Sequence, residues 1–320
     1  GMKVPFSFDV NLKGSGAAGT APEFGVALRA CGYSEQITAT AVPASAAACR
    51  AGGSTTVAQL GSAASSTPDA YNGMPLLLTS GVTGNTFITD YDASKNATLA
   101  ETMGGTIDAG TNYQIPVNVL YKPASTSIPS VTAWIYEDGL LYKLLGCRGN
   151  VGLTLNSGGL WVARFSMSGM FASKFDASVV TPTLDNTVPP IFKNGKAKFN
   201  RASIAINSLT LENGNTVTNP DNPNALEGFD PAQITGRKYR GSIDPAATLI
   251  ATRDVLTDLR AGTKRIIHAG CGSTAGNRIG LTIPEAILLN DSSGARDNLM
   301  IENIDFAPAG RDSGAYLCFW

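Results

Sequence analysis

The chain contains one histidine, His268, in the strand-like run IIHAGCG, with Cys271 and Ser273 just downstream. Any Ser–His or Cys–His mechanism would have to use that imidazole as its base. Neither candidate nucleophile lies in a G-x-S-x-G elbow, which would hold it exposed on a tight turn, so the expectation is a packed strand histidine. The carboxylates are dispersed: Asp90 and Asp92, Glu137 and Asp138 at a hairpin tip, and Asp221, Asp230 and Asp244 in loops. A glycosidase needs two carboxyl groups facing each other across a cleft, and nothing in the spacing selects a partner for Glu137 or Asp138. The Asp-rich turns at 219–230 lack the regular ligand spacing of a calcium loop. Gly14, Gly16 and Gly19 form G-x-G-x-x-G between a strand and a short helix, the setting of a dinucleotide fingerprint. Nothing that follows reads as a parallel strand, and no strand delivers Glu35, the nearest candidate ribose acid. The triplet is therefore read as a flexible linker that lets an N-terminal arm reach away from the body. No catalytic, cofactor-binding or metal-ligating residue is assigned, no cofactor is implied, and no enzymatic activity is expected.

The elements that would position such groups are strands. From Val131 to Phe171, Val131, Ala133 and Ile135 alternate with Thr132, Trp134 and Tyr136. Asp138-Gly139 then supplies the positive φ of a tight hairpin. Leu140–Leu145 runs back, Val151–Leu155 follows, Ser157-Gly158-Gly159 turns, and Trp161, Ala163, Phe165 and Met167 line one face of a return strand. Arg164, Ser166 and Ser168 line its other face. This is an antiparallel meander with one apolar and one wet face, in which Trp134 and Trp161 are expected in the core. Thirty-five glycines and seventeen prolines punctuate similar short runs elsewhere. The fold class is accordingly all-β with one or two short helices.

Composition excludes several classes. With 24 basic and 25 acidic residues the net charge is −1, so no basic excess exists to neutralise phosphates and tight nucleic-acid binding is not expected. Charged residues are only 15% of the chain, which suits a protein that covers its surface with copies of itself. The five cysteines, Cys31, Cys49, Cys147, Cys271 and Cys318, include no C-x-x-C pair. They read as free thiols of a reducing compartment. No run approaches the roughly 18 apolar residues of a membrane span, no leader pattern opens the chain, and Gly1 before Met2 is read as a tag remnant.

Three units follow. Residues 2–185 form a first β domain opening on an arm (3–19), with a helix near 20–31 and a long Ala/Ser/Gly/Thr loop at 41–73. Residues 74–116 form a small β module inserted within it. A Pro/Thr/Asp linker at 175–190 precedes a second β domain, 186–320, with a turn-rich loop at 213–231 and a docked C-terminal strand, Tyr316–Trp320. The halves share marks in the same order: Gln36-Ile37-Thr38 with Gln233-Ile234-Thr235, Asp138-Gly139 with Ala261-Gly262, Gly146-Cys147 with Gly270-Cys271, and Gly152–Leu155 with Gly280–Ile283. That order predicts a duplicated β domain.

Ile37-Thr38, the Tyr-x-Pro-x-Ser of Tyr121–Ser125, Tyr136–Gly139, Gly146–Gly149 and Arg164–Gly169 together resemble the tail tube proteins of long non-contractile tailed phages and their prophage relatives. Residues 84–115 resemble a small β element that recurs in tailed-phage structural proteins. The resemblance implies tandem antiparallel β-sandwich or barrel domains of tail-tube type that assemble into rings, with trimers of the duplicated subunit acting as pseudo-hexamers. The rings stack into a tube in the virion tail. DNA would pass through the lumen without specific binding, and the partners would be copies of the chain and other tail proteins, with no membrane. The insertion would decorate the outside. The alternatives are a neck, tail-tip or decoration protein, or a carbohydrate-binding β-sandwich, which would gather Trp, Asp and Glu on one face.

Overall fold

The computed structural model describes residues 1–225 and 227–320; residue 226, inside the loop expected at 213–231, lies outside the described residues. In chain order the elements are β1 (Lys3–Asn11), α1 (Gly25–Ala30), β2 (Tyr33–Thr38), β3 (Val42–Ala48), β4 (Val57–Gln59), β5 (Pro75–Ser80), β6 (Val82–Tyr91), β7 (Asn96–Leu99), β8 (Asn112–Ile115), β9 (Asn118–Pro123), β10 (Val131–Glu137), β11 (Leu140–Asn156) and β12 (Trp161–Asp176). After the 177–190 segment come β13 (Lys196–Phe199), β14 (Ala202–Ser203), β15 (Ser208–Glu212), β16 (Asn215–Thr218), β17 (Gln233–Arg237), β18 (Arg240–Ile243), α2 (Val255–Ala261), β19 (Lys264–Cys271), β20 (Ile279–Arg296), β21 (Leu299–Pro308) and β22 (Tyr316–Phe319). The fold is all-β, and every strand-to-strand ladder is antiparallel.

Three layers result. The first runs β1-β12-β11-β15-β18-β21-β20. β20 is long enough to belong to two layers: residues 286–296 pair with β21, while 279–287 pair with β19 and 279–282 with β22. It therefore carries the sheet over into a second layer that includes β13, β19, β22, β9 and β2. The main core lies between them, joining Leu153, Phe165, Leu209 and Phe306 of the first layer to Val119, Ile267, Leu281 and Phe319 of the second. The third layer is the six-stranded sheet β3-β8-β5-β6-β7-β4. It encloses a second core with Leu120, Ile266, Tyr316, Cys318 and Trp320. Second-layer strands are thus buried on both faces: Ile267 and Ala269 face one core and Ile266 the other, as period two requires.

Several expectations need correction. The arm does not reach away: β1 pairs with β12 from Lys3↔Met170 to Asn11↔Val162, because Val4, Phe6 and Val10 on its inward face pack against the main core. The glycine linker is pinned, with the Gly14 amide donating to Asn277 Oδ1 at 2.9 Å and that of Gly16 to the Gly276 carbonyl at 3.2 Å. The 41–73 stretch is not a loop outside the module but part of it, supplying β3, β4 and the buried Cys49, Ala58, Leu60 and Ala64. Leu140–Leu145 and Val151–Leu155 are one strand, β11, with a register shift between Leu145 and Arg148. Residues 233–243, which read in sequence as one strand, form two strands in different sheets, β17 and β18. Gly262 is the left-handed C-cap of α2, not a hairpin turn, so that mark of the repeat has no counterpart in Asp138-Gly139. Gly146-Cys147 lies within β11 whereas Gly270-Cys271 ends β19, so the marks do not align strand for strand, and what the halves share is a three-strand antiparallel meander each, β10-β11-β12 and β19-β20-β21. One sheet and one core run through both, across the expected boundary at 185/186.

Candidate assembly surface

The chemistry-bearing residues are dispersed by the fold. His268 is 1% exposed; its Nδ1 meets Thr282 Oγ1 at 2.9 Å and its ring lies 4.7 Å from that of Phe87. Burial, then the charges of Lys196 and Lys198, depress its pKa to about 3, so the imidazole is neutral in the folded chain. Cys271, an odd number of residues along the same strand, points to the other face and into the main core. Burial raises its thiol to about 12. No base is available to it, and Ser273 lies in the turn beyond.

The carboxylates build turns. Asp92 accepts from the Asn96 amide and Nδ2, both at 2.9 Å, and these bonds lower its pKa. Asp244 accepts from the Asn207 and Ser208 amides, each at 2.8 Å, and pairs with Arg296 at 3.0 Å. Asp230 holds Asn222 Nδ2 at 2.7 Å, and Asp221 bridges to Phe229. Glu35 accepts the Tyr121 hydroxyl at 2.5 Å. Asp90 lines an open groove of about 780 Å³ between the second and third layers with Asp69 and Glu285; Glu285 is held by Lys264 at 2.7 Å. Among the described residues no three His, Cys, Asp or Glu side chains are grouped to hold a metal ion. The glycine triplet precedes a six-residue helix and an antiparallel strand, which is no dinucleotide site.

Glu137 and Asp138 stand exposed at the tip of the β10–β11 hairpin. Asp138 and Gly139 have φ of 42° and 84°, both positive as the two-residue turn demands. Trp134, expected in the core, is 47% exposed and carries Lys143 Nζ 4.8 Å above its ring. It lies on the outer face of the hairpin, the alternate of Ala133 and Ile135, which pack against the main core. Trp161 and Trp320 are buried, so the tryptophans do not gather on one face.

What the fold does assemble is a surface. The outer face of the first layer carries Ser7, Asp9, Ser166, Asn150, Gly152, Thr154, Thr210 and Ser242, the alternates of the core-facing residues. Two of its cations lie beside opposite charges, whereas Lys3 and Arg148 on the same face form no ion pair among the described residues. Arg164 is 3.7 Å from Asp9, both exposed, and Arg240 stands opposite Glu212 across the β15–β18 ladder, with Asp305 beside them. Such exposed pairs contribute about 0–1 kcal/mol each, and each offsets its own local charge. Both edges of the layer are open among the described residues: there β1 pairs only with β12, and residues 288–296 of β20 pair only with β21. The extension of the face through β15 and β18 escaped sequence reading, although the alternation of Ser208, Thr210 and Glu212 with Leu209 and Leu211 carries it.

No protein-family model matches the chain, and no curated protein matches it either.

Proposed function

We propose that this chain is a non-enzymatic structural subunit that assembles into stacked rings forming the tail tube of a long-tailed phage or prophage, a conduit for DNA. The observation that carries this reading is the first layer: a seven-strand sheet, apolar behind and faced in front mostly by short polar side chains, with both edges unpaired among the described residues. Open edges are a liability in a monomer and become interfaces in an assembly. A lumen through which DNA slides must offer hydroxyls and amides without a standing positive field, because phosphate affinity scales with the cations presented.

Negative-stain microscopy across a concentration series, with mass by light scattering on the same samples, tests the proposal. Rings or tubes with a central hole are expected. Monomers throughout, or solid aggregates lacking a channel, would refute autonomous assembly of this kind. Duplex DNA should not be retained on the protein at about 150 mM salt.

A further inference from the structure

The charge balance hides a local asymmetry. Arg237, Lys238 and Arg240 crowd the junction of β17 and β18, and the fold brings Arg311 beside them around a groove of about 400 Å³. No carboxylate lines it. The nearest, Asp312, is 3.5 Å from Arg237 and already accepts the Ser125 hydroxyl at 2.5 Å. Arg237 is mostly buried, donating to the carbonyls of Gly32 and Ala124, and its Nε has no partner. Lys238 and Arg311 are exposed, and neither forms an ion pair among the described residues.

The opposite feature lies on the β10–β12 hairpin. Glu137, Asp138 and Asp176 converge at its tip, since Leu140 stands opposite both Glu137 and Asp176. All three are exposed, and Lys174 is close enough to Glu137 and Asp176 to feel their charge. The tip continues five residues past Leu145↔Met170, the level at which β1 ends at Lys3, a reach of about 16 Å at the rise of a strand. Trp134 and Phe175 are exposed on its flank.

We infer that the acidic hairpin tip of one copy seats in the Arg237–Lys238–Arg311 groove of the next, an inter-subunit clasp. This rests on the assembly reading and names one of its contacts. The tip is convex, acidic and projecting; the groove is concave and basic, and the acid beside it, Asp312, is already held by Arg237 and Ser125. The pairing is heterologous, joining two different patches, as ring closure or stacking of identical chains requires. Tyr136 and Phe175 bring aromatic surface to the rim, the kind of anchor that excludes water around charge pairs.

The test uses the full chain in three forms: E137K/D138K, K238E/R311E, and the two combined. Each reversal alone should raise the concentration for half-assembly, by light scattering, roughly tenfold or more, equivalent to about 1.4 kcal/mol. An equimolar mixture of the two single-patch variants should recover part of the assembly, and so should the combined variant. Wild-type assembly should weaken with salt. Unchanged assembly after either reversal overturns the clasp while leaving the ring reading in place; a wild-type chain that never assembles overturns both. If K238E/R311E assembles normally but loses binding to a labelled 30-base-pair duplex, the groove is a phosphate site and the clasp is wrong. Matching far-UV circular dichroism of all forms excludes misfolding as the cause.

Discussion

Gly280 is one point at which the third layer packs tightly on the rest of the chain, and a single methyl group there tests the arrangement. A Cβ on Gly280 would lie 2.2 Å from Phe87 Cζ and 2.5 Å from Cε1, against ordinary contact at 3.4–4 Å. The ring would have to retreat by more than 1 Å. It has nowhere to go: Phe87 is 4% exposed, with the His268 ring 4.7 Å away and Trp320 edge-on at 6.2 Å. Overpacking of this kind costs about 1–3 kcal/mol. Phe87→Ala removes the obstacle at a cost of about 3–5 kcal/mol for the lost burial and cavity. In the Phe87→Ala background the new methyl enters the vacated space and its penalty disappears. Gly280→Ala and Phe87→Ala should therefore couple, the double variant being about 1–3 kcal/mol more stable than additivity predicts. Urea unfolding followed by tryptophan fluorescence and by far-UV circular dichroism measures this, and coincident transitions would license the free-energy comparison. Costs additive to within about 0.5 kcal/mol would refute the interlock and point to a third layer that hangs loosely from the body.

The remaining predictions address burial elsewhere. His268 titrates at about 3 in the folded chain against about 6.5 when unfolded. Between those values the unfolded chain holds a proton that the folded chain lacks, so stability falls as pH drops through that window, by about 1.4 kcal/mol per pH unit, and is indifferent to this group above it. His268→Gln should remove that component of the slope between pH 7.5 and pH 5; an unaltered slope would contradict the buried, neutral ring among Phe87, Lys196 and Lys198. All five cysteines are buried and free, and burial raises Cys31 to about 12 and Cys49 to about 11. Ellman's reagent should find five thiols in guanidinium and none within minutes in buffer, and a fast native thiol would mark an opened core. Deleting residues 2–12 strips β1 and the fully buried Leu12, and should lower stability by about 5 kcal/mol or more. An unchanged urea midpoint would restore the detached-arm reading.

The legible parts of the chain share one physical trait: burial on one side. β10, β12 and β21 back onto the core on one face only, so polarity alternates residue by residue and the period can be read. Asp138-Gly139 was legible because few other dipeptides accept positive φ twice in succession. The second layer lacks this trait. With cores on both faces, IIHAGC and YLCFW show no alternation, and nothing in them foretells that Ile266 and Ile267 serve different cores. The third layer is quieter still. Ala58 and Ala64 are almost fully buried, but alanine, serine and glycine signal a loop as readily as tight packing, so 41–73 is indistinguishable from a linker until Tyr71, Tyr91 and Tyr113 close over it. The basic groove was missed because net charge averages over position. Arg237-Lys238-Tyr239-Arg240 is a local run within a chain of net charge −1, and its fourth cation, Arg311, arrives only through the fold.

The third layer also constrains how copies of the proposed subunit can meet. By covering the second layer, it leaves the polar face of the first as the broad sheet face in contact with solvent, and it leaves free the edges at β1 and at residues 288–296 of β20. These edges differ chemically. β1 presents Lys3, Pro5 and Asp9, and Pro5 lacks an amide donor; the far edge presents Asn290, Asp291 and Ser292 on a full amide backbone. Edge-to-edge joining of identical copies is then heterologous, β1 of one against β20 of the next. Such contacts close into a ring where the rotation per copy divides a full turn, and run into a filament where it does not. The acidic tip and basic groove would set that rotation, since a projecting hairpin admits fewer relative orientations than a bare strand edge. Loss of the clasp should therefore change the distribution of ring sizes as well as the affinity, giving arcs and mixed rings at concentrations where the unaltered chain gives one size.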